Sequence, residues 1–331
     1  MRRGNITVFS KATLAALAGV LVLGLLLGSS ATVHAQNQPP LFLTQPYLVS
    51  PDPQDSMYIC WLTSEPIQKS YVEYGRFMMH DQEKAVRYEI DGLLTVDSQG
   101  NSTGSLDGKV FQQIVHLKGL QPGTRYHYRA VSVGQNGKVT TQDYDFKTAP
   151  HTGAPLKFVL LSDLQQKPQI PTTVKMAGQP GADLILYNGD LVSHPTWVQE
   201  WLSYPGTSIP EGDDHRWFKV MQQTADGTRL LQYIPIYPSP GNHEIDEQNV
   251  LANASLSDRQ KLTLKMYMQL FRPLYPQQQC GPDGKHWYSS DFGDLHIVSL
   301  SLNRWFGCPQ TTPPGRYLLD GTRPATPSKT G

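Results

Sequence analysis

The feature that most constrains the fold is a pair of near-continuous apolar runs, LKFVLLSD at residues 156–163 and ADLILYNGD at residues 182–190. Runs of this kind are typical of strands in a parallel sheet that is covered on both faces. A third, weaker run ends at PSPGNHE, residues 238–244, and DDHRWFKVMQQ before it has a helical pattern. Alternating strands and crossovers predict an α/β domain, which we place at residues 151–331.

The preceding segment has a different pattern. From about residue 41 to residue 150 it contains short strand-like runs separated by turn residues, among them MYICWLT, VFQQIVHL and RYHYRAVSV. Many short strands without a helical period predict an all-β sandwich. Tyr126 enters a strand after LQPGTR, which is the pattern of a tyrosine corner. We therefore expect a sandwich over residues 36–150 and a linker, APHTGAP, before the α/β domain.

The first 35 residues have the layout of a secretory signal sequence. Three basic residues precede an apolar run from Ala12 to Leu27, and small residues follow up to Ala35. This layout predicts cleavage after Ala35 and a secreted, extracytoplasmic protein. An uncleaved membrane anchor is the alternative, because the apolar run is near the upper length for a signal.

Charge argues against polyanionic partners. The chain has 28 Lys and Arg against 28 Asp and Glu, and the part after Ala35 is slightly acidic because three of the basic residues precede it. A chain with this balance offers no electrostatic attraction to nucleic acid or to an anionic membrane. We expect neither partner beyond the signal segment, and the oligomeric state stays open.

The chain has three cysteines. Outside the cytosol Cys280 and Cys308 could form a disulfide, which would stabilise the fold by about 3–4 kcal/mol. Cys60 lies inside the apolar run SMYICWLT. We expect it to be a buried small hydrophobic residue.

Polar side chains follow each of the three apolar runs. Asp163, Asp190 and Asn242 lie just past the predicted carboxyl ends of strands, the edge at which open α/β sheets bind ligands. Carboxylates and a neutral amide oxygen suit hard or borderline divalent metal ions. Asp190, on the middle segment, is the natural ligand to bridge two ions. The sequence therefore predicts a metal site at this edge.

These motifs carry a resemblance to a known family. Residues 156–303 resemble the first part of a calcineurin-like metallophosphoesterase, because SDLQ, NGDLVSH and PGNHE follow the order of that family's motifs. The preceding sandwich, with VEYG and GLQPGTRYHYR, resembles the fibronectin type III-like N-terminal domain of purple acid phosphatases. The fold implied is an all-β sandwich followed by a partial α/β (α/β/β/α-type) domain.

The resemblance also implies roles for individual residues. Asp163 would bind the first metal ion, Asp190 would bridge two ions, and Asn242 would bind the second. His243 would lie over the phosphoryl group and stabilise its charge or protonate the leaving oxygen. The activity implied is hydrolysis of phosphate monoesters in a small phosphorylated substrate, by water activated with two divalent or trivalent ions (Fe, Zn or Mn).

Three neighbouring positions differ from the family pattern or add to it. Gln165 occupies the place of a histidine or glycine and can offer a neutral oxygen to metal. Ser193 occupies the place of the iron-binding tyrosine, so a purple ferric enzyme is not expected. His194 is a candidate substrate contact, and the alternative is a solvent-facing loop histidine.

Downstream, the pattern of the family is incomplete. After His243 the only histidines are His286 and His296, whereas the family has two further histidine motifs in this direction. We expect both to belong to a hairpin, with Asp294 as a turn residue. The chain is therefore predicted to represent only the first part of a catalytic domain. An inactive relic or secreted binding module, and a phosphodiesterase or nucleotidase of the same fold, remain alternatives.

Overall fold

The structure, a computed structural model, describes residues 41–64, 67–135, 137–165, 167–178, 181–207, 215–224, 226–244, 264–275 and 287–300. The predicted signal sequence and the predicted Cys280–Cys308 disulfide lie outside these ranges. Within them, no helix is long and apolar enough to cross a bilayer.

The N-terminal part is built from antiparallel strands arranged in two sheets. One sheet has the order β1-β2-β8-β5, and the other has the order β10-β9-β3-β4, with β11 also paired to β9. Strands β6 and β7 form a separate antiparallel hairpin. The strands are β1 (Tyr47–Val49), β2 (Met57–Ser64), β3 (Ile67–Gly75), β4 (Asp81–Lys84), β5 (Val86–Glu89), β6 (Leu94–Val96), β7 (Ser102–Ser105), β8 (Val110–Leu117), β9 (Arg125–Gly134), β10 (Gly137–Thr140) and β11 (Tyr144–Lys147).

A buried aromatic and aliphatic core lies between the two sheets, and it includes Trp61, Val72, Tyr128 and Phe146. The tyrosine corner is present, because the backbone N–H of Gln121 donates to Tyr126 Oη at 2.9 Å. Cys60 is buried on β2, as predicted. The all-β sandwich expected from the sequence is confirmed.

The C-terminal part contains a parallel sheet with the order β12-β13-β14. Helices lie between the strands in the chain. The elements are β12 (Phe158–Leu161), α1 (Ile170–Gly178), β13 (Leu184–Asn188), α2 (Val198–Trp201), α3 (Trp217–Gln222) and β14 (Ile236–Ser239). Alternating parallel strands and helices confirm the α/β class, and the sheet brings the three polar motifs to one edge.

Further elements follow β14. Residues 264–270 are helical, a 3-10 turn η1 covers Arg272–Leu274, and β15 (Tyr288–Phe292) pairs with β16 (Leu295–Ser299) as an antiparallel hairpin. Asp294 lies in the hairpin turn and accepts a hydrogen bond from Gly153 N–H at 2.7 Å, while His296 lies in β16. Asp294 and His296 therefore belong to the hairpin, as predicted, whereas His286 lies outside the described residues.

Two tyrosines secure the end of β14. Tyr267 Oη donates to the carbonyl of Pro238 at 2.6 Å, and Tyr288 Oη donates to the same carbonyl at 3.1 Å. Both tyrosines are buried. Because the motif PGNHE begins two residues later, the start of this loop is held by side chains from two separate parts of the chain.

The sandwich and the parallel sheet pack directly on each other within one compact unit. Tyr128 Oη of β9 donates to Gln232 O at 2.8 Å, and Tyr47 Oη of β1 donates to Leu270 O at 2.6 Å. Both phenols are buried. A buried carbonyl that loses its donor leaves an unsatisfied polar group, so these contacts favour one fixed arrangement of the two domains.

Candidate metal and phosphate site

The three polar motifs form loops at the carboxyl edge of the parallel sheet. Asp163 follows β12 by two residues, Asp190 follows β13 by two, and Asn242 follows β14 by three. Asp163 and Asn242 are exposed, whereas Asp190 is buried. The topology thus brings together the three residues that the sequence nominated, with one carboxylate inside the loops and two side chains open to solvent.

The first two loops have an unusual backbone. Asp163, Gln165 and Asp190 have positive φ angles of 53°, 44° and 56°. L-residues other than glycine seldom adopt this conformation, which costs about 1–2 kcal/mol per residue. Its effect here is to turn the chain sharply after the strand, so that each loop stays close to the sheet edge.

Backbone hydrogen bonds join these two loops. Asp163 N–H donates to Gly189 O at 3.1 Å, and Gln165 N–H donates to Asp190 O at 3.3 Å. The SDLQ loop therefore follows the NGD loop through main-chain contacts. These main-chain hydrogen bonds set the relative position of Asp163 and Asp190 without using either carboxylate.

The side chain of Glu244 connects the second and third loops by hydrogen bonds to their backbones. Its carboxylate is fully buried and accepts backbone N–H groups of Asp190, Leu191 and Gly241, each at 2.8 Å. Burial raises the pKa of Glu244 to about 7, opposed by the N–H groups of Gly241 and Asp190. The three donors fix the turn before Asn242 against the turn that contains Asp190.

Gly241 lies so close to Asp190 that no side chain fits between them. A Cβ at this position would lie 2.1 Å from Asp190 Oδ1 and 2.5 Å from Asp190 N. Real Cβ atoms do not approach other heavy atoms this closely. Glycine is therefore required by packing at this point of the motif, in addition to any turn geometry.

His243 is anchored at two points. Its backbone N–H donates to Asp190 Oδ1 at 3.0 Å, and its Nδ1 lies 2.9 Å from the carbonyl oxygen of Ser193. Because a carbonyl oxygen can only accept, Nδ1 carries the proton in this contact. The neutral imidazole is then the Nδ1–H tautomer, and Nε2 is the nitrogen available for chemistry.

His194 is held by a second set of contacts. Its Nδ1 lies 2.6 Å from Glu200 Oε1, and its ring stacks on Trp197 with centroids 3.8 Å apart and an interplanar angle of 9°. The side chain is 23% exposed. His194 is thus a fixed, partly exposed imidazole beside the loop that carries Asp190, and it differs from the freely solvated histidine that was the alternative.

A metal ion at this edge of the sheet would be bound mainly by oxygen donors. Asp163, Asp190 and Asn242, with Gln165 nearby, offer carboxylate and amide oxygens, which suit a hard or borderline divalent ion. Within the described ranges, no cluster of three or more His, Cys, Asp or Glu side chains forms a metal site. The types of donor atom present therefore fit a metal ion. A set of three protein ligands would have to include the amide oxygen of Asn242 or Gln165.

Sequence reasoning missed Glu200 and Trp197. Both lie within or next to the short helix α2 and are buried, and neither belongs to a recognised motif. The spacing of six residues between His194 and Glu200 carried no signal, because the contact depends on how α2 packs. Glu244, by contrast, is part of the PGNHE motif, and its three backbone contacts support the turn of that motif.

The fold and the site define a metallophosphoesterase-type domain behind a β-sandwich. Residues 156–319 match the family of calcineurin-like phosphoesterases. Residues 43–148 match the N-terminal domain of purple acid phosphatases. The chain therefore contains a purple acid phosphatase N-terminal domain followed by a calcineurin-like phosphoesterase domain, as the sequence motifs predicted, and these matches support a phosphoesterase function.

Among solved structures, the chain is similar to purple acid phosphatase PPD1 from seeds of yellow lupin (Lupinus luteus). The identity is 18% and the TM-score 0.56, over 79% of this chain and 44% of that chain. At this identity the likeness supports the fold alone. The chain thus spans less than half the length of the lupin chain.

The sixth fibronectin type III domain of human fibronectin type III domain containing protein 3 also matches. The identity is 13% and the TM-score 0.23, over 36% of this chain and 92% of that chain. That score is too low to support an argument. No curated protein sequence matches the chain.

Proposed function

We propose that this chain belongs to a secreted, metal-dependent phosphatase that hydrolyses phosphate monoesters. The observation that supports the proposal most strongly is the shared anchoring of the two loops that carry Asp190 and Asn242. His243 N–H binds Asp190 Oδ1, and Glu244 joins the backbones of both loops. An arrangement that holds Asp190, Asn242 and His243 together has a clear use in binding a phosphoryl group next to metal ions.

In this proposal each side chain has one task. Asp163, Asp190 and Asn242 would hold two metal ions, with Gln165 as a further neutral donor. Bound there, the ions supply positive charge against the phosphoryl oxygens and lower the pKa of the attacking water. Fe, Zn and Mn are the candidates.

His243 would act on the phosphoryl group or on the leaving oxygen. With Nδ1–H donated to Ser193 O, the ring cannot turn without losing that bond, so Nε2 keeps one direction. A proton on Nε2 stabilises negative charge on an adjacent oxygen, and its transfer allows an alcohol to leave neutral. His194 would contact the same substrate from the neighbouring loop.

The test compares substitution of the motif residue Asp190 with substitution of Asp294, which lies outside the site. We expect the chain from Gln36 onward to hydrolyse an aryl phosphate with Mn²⁺, Fe²⁺ or Zn²⁺, and Asp190→Asn to lower the rate by about 100-fold or more. Asp294→Asn is the matched control, because Asp294-Leu295-His296 imitates a metal motif but lies in the hairpin.

The outcomes separate the alternatives. Equal rates for the native chain and Asp190→Asn would rule out the proposed site. If the native chain neither binds a metal nor hydrolyses any ester, a secreted binding module or an inactive relic is the better interpretation. Faster hydrolysis of a bis-aryl phosphodiester than of the monoester would move the proposal to the diesterase or nucleotidase class.

Secretion has a separate test. N-terminal sequencing of the exported protein should begin at Gln36, because Val33-His34-Ala35 ends in the small residue that signal peptidases require. A product that retains residues 1–35 and sediments with membranes would support the uncleaved anchor instead.

A further inference from the structure

Glu200 is a buried carboxylate next to the site that the family motifs do not explain. It lies on α2, is 6% exposed, and belongs to none of the three motif loops. Its oxygens face the loop after Asp190. A buried carboxylate is costly unless it is well hydrogen-bonded, so its partners indicate why it is present.

Those partners include the two residues before Pro195. Glu200 Oε2 accepts the backbone N–H of Ser193 at 2.7 Å and that of His194 at 2.8 Å, while Oε1 contacts His194 Nδ1 at 2.6 Å. Hydrogen bonds to an ionised acceptor are roughly twice as strong as neutral ones. One side chain thus fixes the two peptide units on either side of the Ser193 Cα, and the second of these units contains the Ser193 carbonyl.

That carbonyl is the acceptor for His243 Nδ1. The contacts therefore form a continuous chain, from the Glu200 carboxylate to the backbone of Ser193 and from there to the imidazole. We propose that Glu200 is the positioning residue for His243, because it fixes the Ser193 carbonyl that selects the imidazole tautomer and its direction. Only the catalytic consequence of this chain of contacts rests on the proposed function.

The proposal separates two routes by which Glu200 could influence the site. If it acts through the Ser193 backbone, a side chain with one acceptor oxygen suffices, since Oε2 makes both backbone contacts. If it acts through His194, loss of that imidazole should have the same effect as loss of Glu200. Variants at positions 200 and 194 therefore answer different questions.

The experiment is NMR of the full chain with ¹⁵N-labelled histidine, in which His243→Gln assigns the His243 signals. The ring ¹⁵N shifts distinguish the Nδ1–H tautomer from the Nε2–H tautomer at a pH where the ring is neutral. We expect Nδ1–H to dominate in the native protein and in Glu200→Gln, and to become the minor form in Glu200→Met, which is similar in size but has no acceptor.

Two controls complete the set. His194→Gln should leave the His243 tautomer unchanged, because it retains the backbone bonds to Glu200. Gln199→Leu, next to Glu200 on α2, removes a buried hydrogen bond to Val96 O, and so controls for a general loss of stability. We expect it to keep the native His243 signal.

Catalysis provides the second readout. Where the native chain hydrolyses an aryl phosphate, Glu200→Met should lower kcat by about 10–100-fold, the usual cost of losing a hydrogen-bond partner that orients a functional side chain, with little change in KM. Glu200→Gln should restore most of the rate.

The proposal is overturned if native His243 is the Nε2–H tautomer, or if folded Glu200→Met retains the native signal. The native measurement stands even if Glu200→Met does not fold. An inactive native chain would refute the proposed function, yet the NMR comparison would still decide whether Glu200 sets the imidazole.

Discussion

The sandwich and the site loops differ in which residues adopt positive φ angles. Within the described residues, every positive φ angle in the sandwich belongs to a glycine, whereas the non-glycine residues at positive φ are Asp163, Gln165 and Asp190 of the site. Glycine adopts this conformation without a steric penalty, and an L-residue does not. The sandwich turns are relaxed, and the site loops carry strain.

Strain at a site persists only when the surroundings impose it. Here the imposing contacts can be identified, because Glu244 accepts three backbone N–H groups and the first two loops bond to each other. The difference indicates that stability dominates in the sandwich turns, whereas the site loops give up stability to place carboxylates. Substitutions that replace glycine by alanine, or a non-glycine residue at positive φ by glycine, test this interpretation.

The largest effect should come from Gly241→Ala. The added Cβ would meet backbone and carboxylate atoms of Asp190, which cannot both move without breaking the bond to Glu244. Overpacking of this kind costs about 1–3 kcal/mol or more. We expect a loss of about 3 kcal/mol in urea unfolding, together with loss of Mn²⁺ binding by calorimetry. Unchanged metal affinity would show that the two loops can separate without damage to the site.

Gly119→Ala in the sandwich is the matched comparison. Gly119 has a φ of 68°, and a Cβ there would meet nothing within 4 Å, so the substitution isolates the backbone penalty. We expect a loss of about 1–2 kcal/mol in unfolding free energy, with metal binding unchanged. A loss as large as that of Gly241→Ala would contradict the view that crowding dominates at the site.

The reverse exchange is Gln165→Gly. It relieves a positive φ of 44° at the site, and the gain is reduced by the greater freedom of glycine in the unfolded chain. The net expectation is stabilisation by about 0.5–1 kcal/mol, measured by urea unfolding without metal. Loss of stability would mean that the Gln165 side chain contributes contacts that outweigh its backbone strain. Weaker Mn²⁺ affinity in the same variant would support Gln165 as a donor.

The sequence was sufficient for the parts that bury apolar residues in a regular pattern. VFQQIVHL coincides with β8 (Val110–Leu117), and LKFVLLSD and ADLILYNGD contain β12 and β13. The Gly/Ser/Asp stretch at residues 98–108 has the composition of a turn region, and yet it contains β7. The four β7 residues, Ser102, Thr103, Gly104 and Ser105, are all exposed and include no large apolar side chain, so no alternation marks the strand.

At the site, sequence motifs identified the side chains but not their support. Asp163, Asp190 and Asn242 could be named because polar residues after buried strands are conspicuous. The contact of Glu200 with the Ser193 and His194 backbone depends on how α2 packs, which includes a hydrogen bond from Gln199 Nε2 to Val96 O of β6. Such contacts follow from tertiary packing, and no local pattern encodes them.

The smallest expected effect concerns pH and lies in the sandwich. The ring of His116 stacks on Tyr58 with centroids 3.8 Å apart, and burial, with Lys118, lowers the pKa of His116, opposed by Asp52, Asp55 and Glu83. Its folded pKa lies below the unfolded value of about 6.5, so folding favours the neutral ring. This contribution to stability is present above pH 6.5 and is lost as the pH falls through the folded pKa.

A pair of substitutions at Tyr58 sharpens this prediction. Tyr58→Ala exposes the His116 ring, which should raise its pKa and flatten the stability profile measured by urea unfolding between pH 7.5 and pH 5, values that bracket about 6.5. Tyr58→Phe keeps the stack and should retain the native profile. An NMR titration in which His116 protonates at or above its unfolded value would contradict the argument.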